Sequence, residues 1–197
     1  MKKKGKLFII SGPSGSGKST VLREVLSCEK KAHFSVSATT RKPRPGEVDG
    51  KDYHFVTREA FDRIIEEDGF LEWARFVENC YGTPEAPIRE KMAAGIDVIL
   101  DIEVQGAKQV KEKMPEAVAV FLFPPSMAIL EERLRTRGTD TEEKIRKRLE
   151  RAEAEFARAA FYDYLVINDR VEEAVKEIQA IIIAEGCKLE ARRHLID

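Results

Sequence analysis

Between Gly12 and Ser19 the chain reads GPSGSGKS, a spacing of glycines ahead of a lysine and a hydroxyl that can hold phosphate. Glycine lets successive backbone N–H groups close around phosphate oxygens. Gly12, Pro13, Ser14, Gly15, Ser16 and Gly17 are the expected cradle, with Lys18, Ser19 and Thr20 completing the nucleotide site. Lys18 is expected to reach the β- and γ-phosphates, and the Ser19 hydroxyl to face a bound Mg²⁺. A helix beginning near Lys18 points its partial positive end at the same anion. The implied ligand is a nucleoside triphosphate.

A second group lies in TTRKPRPGEVDGKDYHF, residues 39–55. Arg41 and Arg44 stand three apart in a proline-stiffened stretch, with Tyr53 a few residues on. Arginine forks match phosphate oxygens in pairs, and a phenol adds a third donor. Two arginines in a loop are by themselves an ordinary solvated face; beside a phosphate cradle they suit a second phosphate. A third feature is Glu72 in GFLEWARFV, between Leu71 and Trp73, where a carboxylate is costly to bury without partners.

These residues need a scaffold. Four short apolar runs, Leu7–Ile10, Val98–Ile102, Val118–Phe123 and Tyr164–Ile167, read as buried parallel strands. Helical spacing follows them at Lys18–Ser27, Val104–Lys113, Met127–Arg135 and Val171–Ile183. Strands alternating with helices predict a doubly wound α/β fold with ligands at the carboxyl ends of the strands. Two stretches interrupt the alternation. Residues 35–94 read as short strands and turns with a helix near Thr57–Glu67, and residues 126–160 as an arginine-rich helical pair broken at Gly138. Thr139 with Glu142 is a candidate capping box for the second helix, whose apolar stripe is Ile145, Leu149, Ala152 and Phe156. The expected division is a core of 1–34, 95–125 and 161–197, an acceptor-holding insertion and a lid.

Composition narrows the class. The 197 residues carry a net charge of −1 at 43% hydrophobic content, which argues for a globular chain and against nucleic-acid or membrane partners. The pI near 6.4 agrees. The apolar run after MKKKGK is too short for a secretory leader, and Cys28, Cys80 and Cys187 are widely spaced, as in a reduced cytoplasmic protein. No Cys/His spacing suggests zinc, so the one metal expected is the Mg²⁺ that arrives with the nucleotide.

The ordered set FSVSATTRKPRPGEVDGKDYHFV, GFLEWA, YGT, ILDIEVQG, RGT and VIND resembles guanylate kinase, from the phosphate loop to about Asp169. The resemblance implies the nucleoside-monophosphate-kinase fold and the reaction ATP + GMP ⇌ ADP + GDP, with dGMP as a further acceptor. It implies that Arg41, Arg44, Tyr53 and Tyr81 hold the GMP phosphate and that Ser37, Glu72 and Thr83 read guanine. Asp101 is expected in the Mg²⁺ shell. Where the family often has Asp-Ile-Asp this chain has Asp-Ile-Glu, and Glu103 is expected on the acceptor side. Arg133, Arg137 and Arg148 are expected at the donor phosphates and Asn168 near the adenine edge, while the other charges of 144–156 read as a solvated helix.

Glu72 also has its own logic, since guanine offers donors at N1 and at its 2-amino group and one carboxylate accepts from both. Two other readings stay open: a non-catalytic scaffold module, against which the intact phosphate loop argues, and a kinase for another small acceptor. The protein is expected to act as a monomer or homodimer.

Overall fold

The computed structural model describes residues 4–29, 32–136, 138 and 140–196. Its central sheet has five parallel strands: β1 (Leu7–Ser11), β2 (Ala32–Phe34), β7 (Asp97–Asp101), β8 (Val118–Phe123) and β9 (Tyr164–Ile167), in the order β2-β7-β1-β8-β9. Both faces are covered, which is why β1 reads as an unbroken apolar run. Phe8 and Ile10 pack on one face with Val21, Leu22 and Val25 of α1 (Lys18–Cys28) and Ile178 and Ile182 of α7 (Val171–Cys187). Leu7 and Ile9 point to the other face. There they meet Ala107 and Val110 of α4 (Val104–Lys113), and Ile88 and Met92 of α3 (Glu85–Ala93).

The expected strands and helices are present with ends shifted by a few residues, as fraying termini allow. Two elements were not anticipated, the edge strand β2 and helix α3. A second, four-stranded sheet stands over the carboxyl end of the first. It comprises β3 (Ala38–Thr39), β4 (His54–Phe55), β5 (Phe70–Phe76) and β6 (Asn79–Pro84), in the order β4-β3-β6-β5. Helix α2 (Arg58–Glu66), capped by the Thr57 hydroxyl, buries Phe61 against Phe70 of that sheet.

The arginine-rich interruption folds as α5 (Met127–Thr136) and α6 (Glu142–Ala157). The cap of α6 differs from the expected Thr139–Glu142 box. Thr141 is the N-cap, its hydroxyl accepting from the Lys144 N–H, so the helix opens immediately after it. Thr139 lies outside the described residues. Of the predicted stripe, Ile145 and Ala152 are buried and Phe156 is 48% exposed, its ring 4.8 Å from that of Phe123. After α7 come a short helix α8 (Leu189–Arg192) and one further turn. No helix among the described residues is long and apolar enough to cross a membrane.

Candidate active site

The phosphate loop runs from the end of β1 to the start of α1, whose first turn has no side-chain cap. Gly15 and Gly17 take φ of 98° and 85°, values that side-chain-bearing residues adopt only with strain. At Gly17 a Cβ would also fall on the amide nitrogen of Asn168. That amide donates to the Ser16 carbonyl at 2.6 Å and is buried, so Asn168 supports the loop from beneath. Lys18 reaches the carboxylate of Asp101 at the end of the neighbouring strand β7. A cavity of about 500 Å³ opens above, lined by Gly12–Gly15, Gly17–Ser19, Asp101, Glu103, Phe76, Arg148 and Arg151.

Beside it lies a cavity of about 320 Å³ lined by Ser37, Tyr53, Glu72, Ala74, Tyr81 and Gly106, sharing Phe76, Asp101 and Glu103 with the first. Strand period places its wall: Glu72, Ala74 and Phe76 alternate on one face of β5 while Leu71 turns into the core. Glu72 pairs across the ladder with Thr83, whose hydroxyl donates to Glu72 Oε1 at 2.5 Å. Burial raises the Glu72 carboxyl above its ordinary range; the Thr83 hydrogen bond opposes this and the charge of Glu103 adds to it. Its second oxygen faces Gly106, where a Cβ would stand 2.7 Å away. Arg41 is held bidentately by Glu47 at 2.8 and 2.9 Å, with its guanidinium 5.4 Å from the centre of the Tyr53 ring. Tyr53 and Tyr81 meet edge to face at 6.0 Å. Arg44 is exposed outside this wall, its backbone N–H donating to Glu47 Oε2 at 2.7 Å.

The two cavities therefore join a phosphate cradle to a pocket holding one buried carboxylate. A family model described as guanylate kinase matches residues 4–185. Over 195 residues the chain is 50% identical to a guanylate kinase of Caldanaerobacter subterraneus subsp. tengcongensis, covering 99% of this chain and 95% of that one. It is 53% identical over 182 residues to a guanylate kinase of Thermus thermophilus, covering 92% and 82%. The chain belongs to the guanylate kinase family. Among solved structures, a crystal structure of guanylate kinase from Anaplasma phagocytophilum resembles it with a TM-score of 0.75 and 35% identity, covering 95% of this chain and 89% of that one.

In this guanylate kinase fold the arginines of 126–160 divide. Arg148 on α6 donates to Ser14 Oγ at 3.3 Å and lies 3.2 Å from Asp140, bringing α6 to the phosphate loop. Arg133 on α5 instead donates to the carbonyls of Asn168 and Asp169, at 2.9 and 3.3 Å, and lines neither cavity. Arg137 lies outside the described residues. Several contributors carried no signal of their own in the sequence. Glu47, three residues past Arg44, has its carboxyl held down to about 2, chiefly by the Arg41 hydrogen bonds. Gln109 clasps both the N–H and the carbonyl of Trp73 at 3.2 Å, and Lys113 donates to the Phe70 carbonyl at 2.8 Å. Gly106, Gln109 and Lys113 fall on one face of α4, so this helix docks β5 and sets the depth of Glu72. Helical spacing from the glycine is the clue that could have found them. Arg151, assigned to a solvated face, reaches the cavity wall.

Proposed function

We infer that this chain transfers the γ-phosphoryl group of ATP to GMP, and to dGMP, giving ADP and GDP. The observation that carries the reading is the shared wall of Phe76, Asp101 and Glu103 between a cavity floored by the phosphate loop and one holding the buried Glu72. A GMP phosphate oxygen attacks the γ-phosphorus, the bond to the β,γ-bridging oxygen breaks, and ADP leaves. The transition state is loose, so the chain contributes position and charge rather than a covalent nucleophile.

On this reading Gly12–Thr20 hold the ATP phosphates, and Lys18, with Arg148 and Arg137 from the lid, offsets charge developing on the transferred group. Arg41, Arg44, Tyr53 and Tyr81 grip the GMP phosphate. Glu72 accepts from N1–H and the 2-amino group, while Ser37 and Thr83 complete the base site. Arg133 and Asn168 act on the donor side by bracing the loop and its flank. The hydroxyl of Ser19 and the carboxylate of Asp101 are hard oxygen donors on one cavity wall, which suits Mg²⁺ completed by phosphate oxygens and water. Bound there, Mg²⁺ supplies charge neutralisation at the phosphates. Residues 35–94 and 126–160 close as acceptor subdomain and lid, excluding water that would otherwise hydrolyse ATP. We place the reaction in the cytoplasm, in a monomer or homodimer that contacts neither nucleic acid nor membrane.

A coupled ADP-release assay with Mg-ATP and, in turn, GMP, dGMP, IMP, AMP, CMP and UMP tests the reading. GMP and dGMP are expected to exceed the others in kcat/KM. Comparable use of AMP would overturn it.

A further inference from the structure

A third opening, about 610 Å³, lies outside the two cavities between α4 and α6, lined by Val104, Gln105, Lys108, Arg158 and Phe161. It shares Glu103, Arg151 and Glu155 with the donor cavity, so these side chains are the partition between them. Glu103 also borders the acceptor cavity, and thus stands where all three spaces meet. It is the N-cap residue of α4, and its side chain makes no capping hydrogen bond. Instead its carboxylate meets Arg151 of the lid. The Arg151 Nε also donates to Glu155 at 2.8 Å, one turn further along α6. Glu103, Arg151 and Glu155 form a strut from the acceptor side of the core to the lid helix. Glutamate at 103 has one more methylene than aspartate with which to reach outward.

We propose that Arg151 is a positioning residue which, through Glu103, walls the phosphoryl-transfer cavity off from the outer groove and couples lid to acceptor site. The proposal rests on the ATP:GMP reading above. A guanidinium suits the place because its fork engages two carboxylates at once, which a lysine ammonium does less rigidly. With the strut broken, water from the groove reaches the donor cavity. A water oxygen then attacks the γ-phosphorus, the β,γ-bridge bond breaks, and ADP, inorganic phosphate and a proton leave in place of GDP formation. Because Arg151 is half exposed and Glu103 more so, the expected effect is about threefold, within the range of an exposed ion pair.

The test measures, for the full chain with Mg-ATP, phosphate release without acceptor and GDP formation with GMP. R151A and E103Q are each expected to raise the ratio of hydrolysis to transfer about threefold and to raise the GMP KM more than they lower kcat. R151K is expected to recover part of the loss. The double variant should exceed neither single variant, since both remove the same strut. R146A, on the exposed side of α6 and paired with Glu150, serves as the comparison and should keep the native ratio. A native ratio in both R151A and E103Q, or additive effects in the double variant, would overturn the strut. E103Q preserves side-chain size, so misfolding of R151A does not shield the proposal. Absence of GDP formation by the unaltered chain would instead sink the underlying reading.

Discussion

In the donor loop Gly15 and Gly17 hold φ of 98° and 85°, and the anion-facing groups are N–H donors fixed by chain path. Around the acceptor cavity the groups are side chains, and two of them already have partners: Arg41 with Glu47, Glu72 with Thr83. A backbone cradle is organised whether or not ligand is present, and few substitutions inside it are neutral. A side-chain pocket must exchange partners when its ligand arrives, and can be retuned one residue at a time. On the proposed ATP:GMP reading, the donor side thus carries the general part of the reaction and the acceptor side its selectivity.

The most severe break falls on the donor side. Lys18→Ala is expected to lower turnover with GMP on the order of 10³-fold, with a native circular dichroism spectrum, since the lysine lies at the cavity and packs in no core cluster. Near-native turnover would separate the loop from the chemistry.

Glu72→Gln sharpens the acceptor side. An amide cannot accept from both guanine donors, and losing charge-assisted hydrogen bonds of about 1.5–3 kcal/mol should cut kcat/KM for GMP about 10- to 100-fold. IMP lacks the 2-amino group and should lose less, so the GMP-to-IMP ratio narrows; an unchanged ratio removes Glu72 from base reading. Stability should move the other way. A carboxyl raised by burial stabilises the fold fully below its unfolded value and loses that contribution as pH rises through its folded value. Melting curves should therefore show the glutamine variant no less stable than the parent near pH 7, and without that relative gain near pH 4.

Arg41→Ala should raise the GMP KM about tenfold, the scale of one charged hydrogen bond, with little change in the ATP KM. An equal rise for both nucleotides would show that the two sides are not separable at this residue. The mildest change lies away from both. Burial works against the charge of Glu185, but hydrogen bonds from Lys188, Tyr164 and Lys6 outweigh it and hold the carboxyl down to about 2. Such a group adds stability above the ordinary carboxylate range and loses it as pH falls toward 2. Glu185→Gln should cost about 1–2 kcal/mol near pH 7, some 3–6 °C in Tm, with the difference vanishing toward pH 2. Turnover should be unaffected at temperatures well below melting.

The same contrast governs what could be read from the chain before its fold was known. The loop was legible because local backbone conformation demands glycine at set intervals, and β1 because both its faces are buried. Strand β2 was not, being three half-buried residues, and α3 was obscured by Pro87 in its first turn and by having only Ile88 and Met92 buried. The acceptor residues emerged from a family resemblance rather than from spacing, since Ser37, Tyr53, Glu72 and Tyr81 meet only through strand pairing. Arg151 was passed over because its i+4 partner Glu155 makes it read as one more solvated helix pair, while its second partner is remote in sequence. Glu103 lies 48 positions away.

Leu71 has a further consequence. It is buried in the same apolar cluster as Leu7 and Ile9, which lead directly to the phosphate loop, while its neighbour Glu72 lines the adjoining cavity. The hydrocarbon there acts as a common datum from which both reactants are surveyed, and the spacing between donor and acceptor is a dimension of the interior. A void opened by Leu71→Ala, at about 2–5 kcal/mol, would be felt as misalignment of two polar sites that share no hydrogen bond with it. Accuracy in this catalyst is machined by oil rather than by charge.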